Sequence, residues 1–290
     1  MKAIIFGHNG QDGHYLGELM QSKGVEVMGI SRGGGSINGN VADLPFVEKS
    51  IREYLPDYIF HFAANSTTKH LALFENHNSI SSGTLNILES VRIYSPSTRV
   101  FLSGSAMQFK NEGQPINENT PFEANSPYAI ARIQSTYAGR YYRNCFGLKV
   151  YTGYFFNHDS PLRTENHINQ KIVRIAQQIS AGRNELLEIG NIHVEKEFNF
   201  AGDLMEAIWI LVNQDEIYEA VIGSGIAHSI EDWARSCFET VNLDFEKYLQ
   251  LKNDFKAEYK ILVSDPKVIL SLGWKPKMDF NSLVKLMMIN

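Results

Sequence analysis

Cysteine is scarce. Only Cys145 and Cys237 occur in the 290-residue chain, in no CxxC or metal-ligand spacing, so neither a disulfide framework nor a zinc cluster is available. That usage suits a reducing compartment, and a cytoplasmic location is expected. Excess positive charge is also missing: 27 Lys and Arg stand against 32 Asp and Glu, for a net charge of −5. No overall field would hold nucleic acid or an anionic membrane, so any anion must be caught locally. Long apolar runs are lacking too. The opening MKAIIFG passes from one lysine into four apolar residues, too short for a secretory signal core, and nothing approaches a membrane span. No repeat, low-complexity tract or flexible linker divides the chain. What remains is ordinary globular composition, 43% hydrophobic and 20% charged, in a length that buries about three quarters of its unfolded surface.

The first thirty residues carry the strongest signal. Ala3 to Phe6 reads as a buried parallel strand, GHNGQDG follows at once, and Tyr15, Leu16, Leu19 and Met20 give helical spacing up to a Gly24 stop. Val25 to Ile30 reads as the next strand. Strand, glycine turn, helix, strand is the arrangement that sets backbone amides and a positive helix end beneath a dinucleotide pyrophosphate, so Gly7, Asn9, Gly10, Gln11, Asp12 and Gly13 are expected at a cofactor. Ser31 and Arg32 follow the second strand where an NAD enzyme usually has an acid. A cation there suits a 2′-phosphate, favouring NADP with NAD as the alternative; Arg32 could equally be solvated or stack on adenine. Asp43 and Leu44, in VADL, are expected at the adenine amine.

Further strands are read at Tyr58 to Phe62, Val100 to Leu102 and Val150 to Phe156, and helices at Thr84 to Arg92 and from Tyr128 to Tyr142. The small residues Ala63, Ala64, Asn65 and Ser66 let backbone lie close to a cofactor. Ser105 stands at a strand end, where ligands sit in such sheets, and Tyr128 and Arg132 are one helical turn apart. Ordinary turn and helix roles for Ser105 and Tyr128 are the competing reading.

At this point the chain resembles the extended short-chain dehydrogenases/reductases, and within them the GDP-mannose 4,6-dehydratase family. The matching segments include GHNGQDGHYL at 7 to 16, GTLNILESVR at 83 to 92, TPFEANSPYAIAR at 120 to 132, FFNHDSPLR at 155 to 163, FAGDLMEAIW at 200 to 209 and SDPKVILSLGWKPKMDF at 264 to 280. The resemblance implies a doubly wound Rossmann-type parallel sheet over 1–155, a smaller α+β substrate lobe over 156–290 with segments crossing between them, and hydride transfer at C4 of a nucleotide sugar. It assigns Ser105 and Tyr128 to the C4 hydroxyl and puts Arg132 where the family has a lysine that supports the tyrosine and holds the nicotinamide ribose. His158 and Arg163 are sent to the cofactor edge, and Ser66, Asn157, Lys171, Lys196 and Glu258 to the substrate. A satisfied loop residue is the other reading of His158.

Four departures qualify the activity. Arg132 keeps a positive charge but does not give up a proton. Met107 stands where the family's dehydration acid belongs, and a thioether cannot protonate a leaving hydroxyl. Lys196 replaces an arginine, and Phe255 falls at a base-reading arginine. Reduction or epimerisation at C4 survives these changes better than water loss does. A retired paralogue that only binds cofactor or sugar nucleotide is the reading from another class. The short, glycine-rich SRGGGSING replaces a longer family segment that reaches a neighbouring subunit, so a flexible loop is expected there, and a homodimer rather than a tetramer.

Overall fold

The computed structural model describes residues 1–33, 37–252 and 257–289. Seven parallel strands form its central sheet: β1 (Lys2–Phe6), β2 (Glu26–Ser31), β3 (Ile37–Asn38), β4 (Tyr58–His61), β5 (Arg99–Ser105), β6 (Val150–Phe155) and β7 (Glu219–Ile222), in the order β7-β6-β5-β4-β1-β2-β3. Strand order reverses between β1 and β4, and the crevice above that point is where doubly wound sheets bind ligands.

Alternation along β1 shows how the sheet is sandwiched. Ala3 and Ile5 face a core shared with α1 (Gln11–Ser22) and a late helix, Ala201–Val212, whereas Ile4 and Phe6 face α2 (Leu44–Tyr54), α3 (Gly83–Tyr94) and α4 (Pro127–Phe146). Both faces are covered, as an all-parallel sheet requires. The late helix is pinned by the FAGDLMEAIW and GWKP segments: the Asp203 carbonyl accepts from the Trp274 indole at 2.9 Å, and its carboxylate accepts from the Lys277 and Met278 amides, each at 2.8 Å.

The second lobe has its own core, with Ile172, Val173 and Ala176 of helix Ile168–Ser180 packed with Trp233 and Phe238 of helix Ile230–Glu239 and Leu283 and Val284 of helix Phe280–Ile289. Buried Glu197 ties its small sheet together, accepting from the Ser264 amide and hydroxyl at 2.6 Å each and from the Ser224 amide at 2.6 Å. After residue 155 the chain builds this lobe, yet Ala201–Val212 and β7 return to the central sheet. The glycine loop expectation falls on residues 34–36, outside the described residues, and β3 beside it is a strand the periodicity did not reveal.

Candidate active site

The glycine turn works by close approach. Gly7 holds a φ of +90°, and a Cβ on it would lie 2.7 Å from the Ala63 nitrogen; one on Gly13 would lie 2.4 Å from the Gly7 carbonyl oxygen. These glycines let the β1–α1 turn press against the loop after β4. Gly10 begins α1 without a side-chain cap, so first-turn amides are left for a ligand. An open cleft of about 590 Å³ lies here, lined by Gly7, Gly10, Ser31, Arg32, Ala63 and Ala64 among others. Backbone donors, a helix N-terminus and a nearby cation form a donor set that fits a dinucleotide pyrophosphate.

The remaining turn residues are committed to the protein itself. The Asn9 amide donates to Ser31 Oγ at 3.0 Å, and its side chain donates to the Gly33 carbonyl. Gln11 accepts from Ser160 Oγ at 2.8 Å, and Asp12 lies 2.9 Å from His158 Nε2. Burial pushes the Asp12 carboxyl upward, but the charge and hydrogen bond of His158 outweigh it and hold the group at about 2. Burial likewise opposes charge on His158, and Asp12 overcomes it, so His158 titrates above its usual range. Gln11 and Asp12 therefore fasten α1 to the second lobe. Arg163 continues the fastening, donating to Asp159 Oδ1 at 3.1 Å and to the His158 carbonyl at 2.8 Å.

Asp43 and Leu44 stand at the start of α2, just after the segment Gly39 to Val41 that lines the cleft. The Asp43 carboxylate caps α2, accepting from the Phe46 amide, and exposed Leu44 is the first residue of that helix. Arg32 is also engaged: it donates to Glu75 Oε1 at 2.9 Å, while Asn65 donates to the other Glu75 oxygen at 2.8 Å.

Ser105, Tyr128 and Arg132 are held by different means. Ser105 is the last residue of β5 and caps the turn Ala106–Gln108, its hydroxyl oxygen accepting from the Met107 amide at 3.2 Å. Accepting leaves its own proton free for a ligand oxygen. Gln108 closes the cap and donates to Thr136 on α4 at 3.1 Å, which fixes the strand end against the helix that carries Tyr128. Ser126 and Pro127 start α4, with Ser126 Oγ accepting from the Ala129 amide at 3.1 Å. Tyr128 is half-buried, and its hydroxyl makes no hydrogen bond among the described residues.

Arg132 takes an anchoring position. Its guanidinium carbon lies 5.1 Å from the centre of the Tyr128 ring, and one nitrogen donates to both the carbonyl and the hydroxyl of Ser103, the latter at 2.6 Å. Ser103 in turn donates to the His61 carbonyl at 2.8 Å. The cation is thus buried between helix and strand with its charge against the phenol ring. His61, beneath it, is neutral at physiological pH: burial, reinforced by Arg132, pushes it down to about 3. Met107 is half-buried and packs on an apolar group that includes Phe109, Ile116 and Tyr154.

In the second lobe, Lys196 is buried near Asp159 and Arg163; burial lowers it to about 8, with Arg163 adding and Asp159 opposing. The buried side-chain oxygen of Asn157 has no hydrogen-bond partner among the described residues. Glu258 accepts from Thr68 Oγ1 at 2.6 Å, bringing the lobe to the loop that carries exposed Ser66. Lys171 instead donates to the Glu188 carbonyl at 2.8 Å on the surface. Phe255 lies outside the described residues.

The sequence profile of the GDP-mannose 4,6-dehydratase family matches residues 4–287. The chain belongs to the GDP-mannose 4,6-dehydratase family. Two relatives are GDP-mannose 4,6 dehydratase 1 of Arabidopsis thaliana, 30% identical with 98% of this chain and 88% of the relative covered, and the Homo sapiens GDP-mannose 4,6 dehydratase, 29% identical with 98% and 89% covered. Among solved structures, the Thermus thermophilus UDP-glucose 4-epimerase, complexed with NAD, has a TM-score of 0.85 at 20% identity, covering 100% of this chain and 98% of that one. RMD from Pseudomonas aeruginosa, complexed with NADPH, has a TM-score of 0.87 at 18% identity, covering 99% and 96%. These neighbours carry the same doubly wound architecture.

Within the dehydratase family frame, sequence reading missed residues that act on the site from a distance. Ser103, inside β5, anchors Arg132, and Glu75, on a short helix after the β4 loop, engages Arg32. Neither belongs to a local motif. The only signal for Ser103 was its two-residue spacing from Ser105, which puts both on one side of the strand.

Proposed function

We propose that this chain is an NADP-linked enzyme acting at C4 of a nucleotide sugar, by ketone reduction or epimerisation and without loss of water. The observation that carries this is the combination of an uncommitted Tyr128 hydroxyl backed by Arg132 with an apolar Met107 setting, in a member of the GDP-mannose 4,6-dehydratase family. When bound, a nicotinamide cofactor supplies or accepts the hydride. Tyr128 exchanges the proton at the C4 oxygen, releasing it to a 4-ketone on reduction and taking it from a hydroxyl on oxidation. Ser105 donates a hydrogen bond to the same oxygen, and Arg132 holds positive charge behind the phenol while Ser103 keeps it in place. Elimination across C5 and C6 needs an acid for the departing hydroxyl, and Met107 offers none.

The names of the relatives favour GDP-mannose or its 4-keto derivative as substrate. Lys196 would meet the diphosphate as a point charge, with Asn157 and Glu258 at the sugar-nucleotide side. Arg32 favours NADP over NAD. Exposed Leu85 and Ile93 on α3 and Ile130, Tyr137 and Tyr141 on the adjoining α4 form an apolar face that supports pairing with a second copy of the chain. No helix among the described residues is long and apolar enough to cross a membrane. The test is incubation of purified protein with NADP(H) and NAD(H) and a panel of GDP-, UDP-, dTDP- and CDP-sugars with their 4-keto derivatives. Turnover at C4 without a 6-deoxy product from a 6-hydroxy sugar is expected. Cofactor binding with no turnover of any sugar would favour the retired-paralogue reading, and water loss would refute the role given to Met107.

A further inference from the structure

The strand order places Arg32 and Asn65 on opposite sides of the cofactor crevice: Arg32 follows β2, Asn65 follows β4, and β1 with its glycine turn lies between them. Glu75 connects the two. One carboxylate oxygen accepts from Arg32 at 2.9 Å and the other from Asn65 at 2.8 Å, so a single acid from a separate segment links the loop after β2 to the loop after β4. The cation that reads as a receptor for the cofactor's 2′-phosphate is therefore already facing a negative charge.

We infer that Glu75 tunes cofactor selectivity, by partly neutralising Arg32 and opposing a 2′-phosphate there, so that the preference for NADPH over NADH is weaker than Arg32 alone would give. The inference rests on the cofactor reading given above and deepens it. An NADPH molecule brings a phosphate of up to two negative charges to Arg32, where the Glu75 carboxylate repels it; NADH brings a neutral ribose hydroxyl, for which Glu75 is a ready acceptor. The Arg32 and Glu75 side chains are 56% and 42% exposed, so the ion pair itself is weak and yields to a stronger anion without a large structural cost. The discrimination is accordingly graded and sensitive to salt.

Glu75→Gln tests this, because the amide keeps an acceptor for Asn65 and removes the charge. Dissociation constants of NADPH and NADH are measured for both proteins by fluorescence titration at low and high salt. The expected result is a shift of roughly three- to tenfold in favour of NADPH over NADH, shrinking at high salt. Arg32→Ala should lose NADPH affinity while keeping NADH. Equal changes for both cofactors in Glu75→Gln, or an unmoved ratio, would overturn the inference with the cofactor reading intact. Failure of the native protein to bind either nucleotide would instead overturn the cofactor reading, and the inference with it.

Discussion

Gly13→Ala separates fold stability from cofactor binding, because the two respond to different distances. An alanine methyl there would meet the Gly7 carbonyl oxygen at 2.4 Å and His8 Cα at 2.5 Å, about 1 Å inside ordinary contact with backbone that cannot rotate away. The N-terminus of α1 must therefore back away from the glycine turn. Overpacking of this kind costs about 1–3 kcal/mol, while replacing glycine within a helix returns about 1 kcal/mol. The net loss of about 0–2 kcal/mol lowers the melting temperature by only several degrees in a chain of this size. Binding suffers more: displacing the first-turn amides removes one or two charge-assisted hydrogen bonds, each about 1.5–3 kcal/mol, so NADPH affinity should fall by roughly 10-fold or more. The assay is a fluorescence titration with NADPH beside a thermal melt of cofactor-free protein. Gly33→Ala is the control, since a Cβ there meets nothing within 4 Å. Native affinity in a folded Gly13→Ala protein would refute the placement of the pyrophosphate at this turn.

Tyr128→Phe keeps the ring against Arg132 and deletes only the hydroxyl, so kcat should fall by roughly 10²- to 10⁴-fold with cofactor affinity and melting temperature unchanged; retained kcat would remove Tyr128 from the chemistry. Lys196 titrates near 8, so KM for the nucleotide sugar should rise as pH passes through about 8, and Lys196→Arg should flatten that profile. A profile unchanged by the substitution would exclude Lys196 from diphosphate binding. The Asp12–His158 pair makes two opposed contributions to stability. That of His158, whose pKa is raised, is complete below about 6.5 and is lost as pH rises through its folded value; that of Asp12 is complete above about 3.9 and is lost as pH falls through about 2. The melting-temperature gap between native protein and His158→Gln should therefore narrow from pH 6 to pH 9, and a constant gap would contradict the ion pair.

The fold was legible wherever local pattern and burial agree. GHNGQDG between two apolar runs announced its turn because each glycine answers a nearby backbone contact, and α4 was visible from Ser126-Pro127, which cap and start it. Its far end was set four residues late of expectation, at Phe146, because Gly147 in the left-handed region stops the helix and Tyr142 is still buried within it. The two-residue β3 is too short to show any periodicity. At the site, residue types were readable but their partners were not. Asp43 was read only as a contact to a ligand amine; that its carboxylate also caps α2, just ahead of a proline-containing helix start, is a local role the reading left out. Arg132 was legible as a cation beside Tyr128; that Ser103 would claim its guanidinium depends on the register of β5 against α4, which no linear spacing encodes.

The return of Ala201–Val212 and β7 to the central sheet makes the two lobes inseparable in manufacture as well as in catalysis. A fragment ending at residue 155 would leave β6 as a bare sheet edge and strip Leu204, Ile208 and Leu211 from the apolar face they cover. Such a piece would be a template for self-association rather than a small cofactor carrier. The same threading means that tightening either lobe with its own ligand protects the other from unfolding, so that a nucleotide held at one end guards the chain at both.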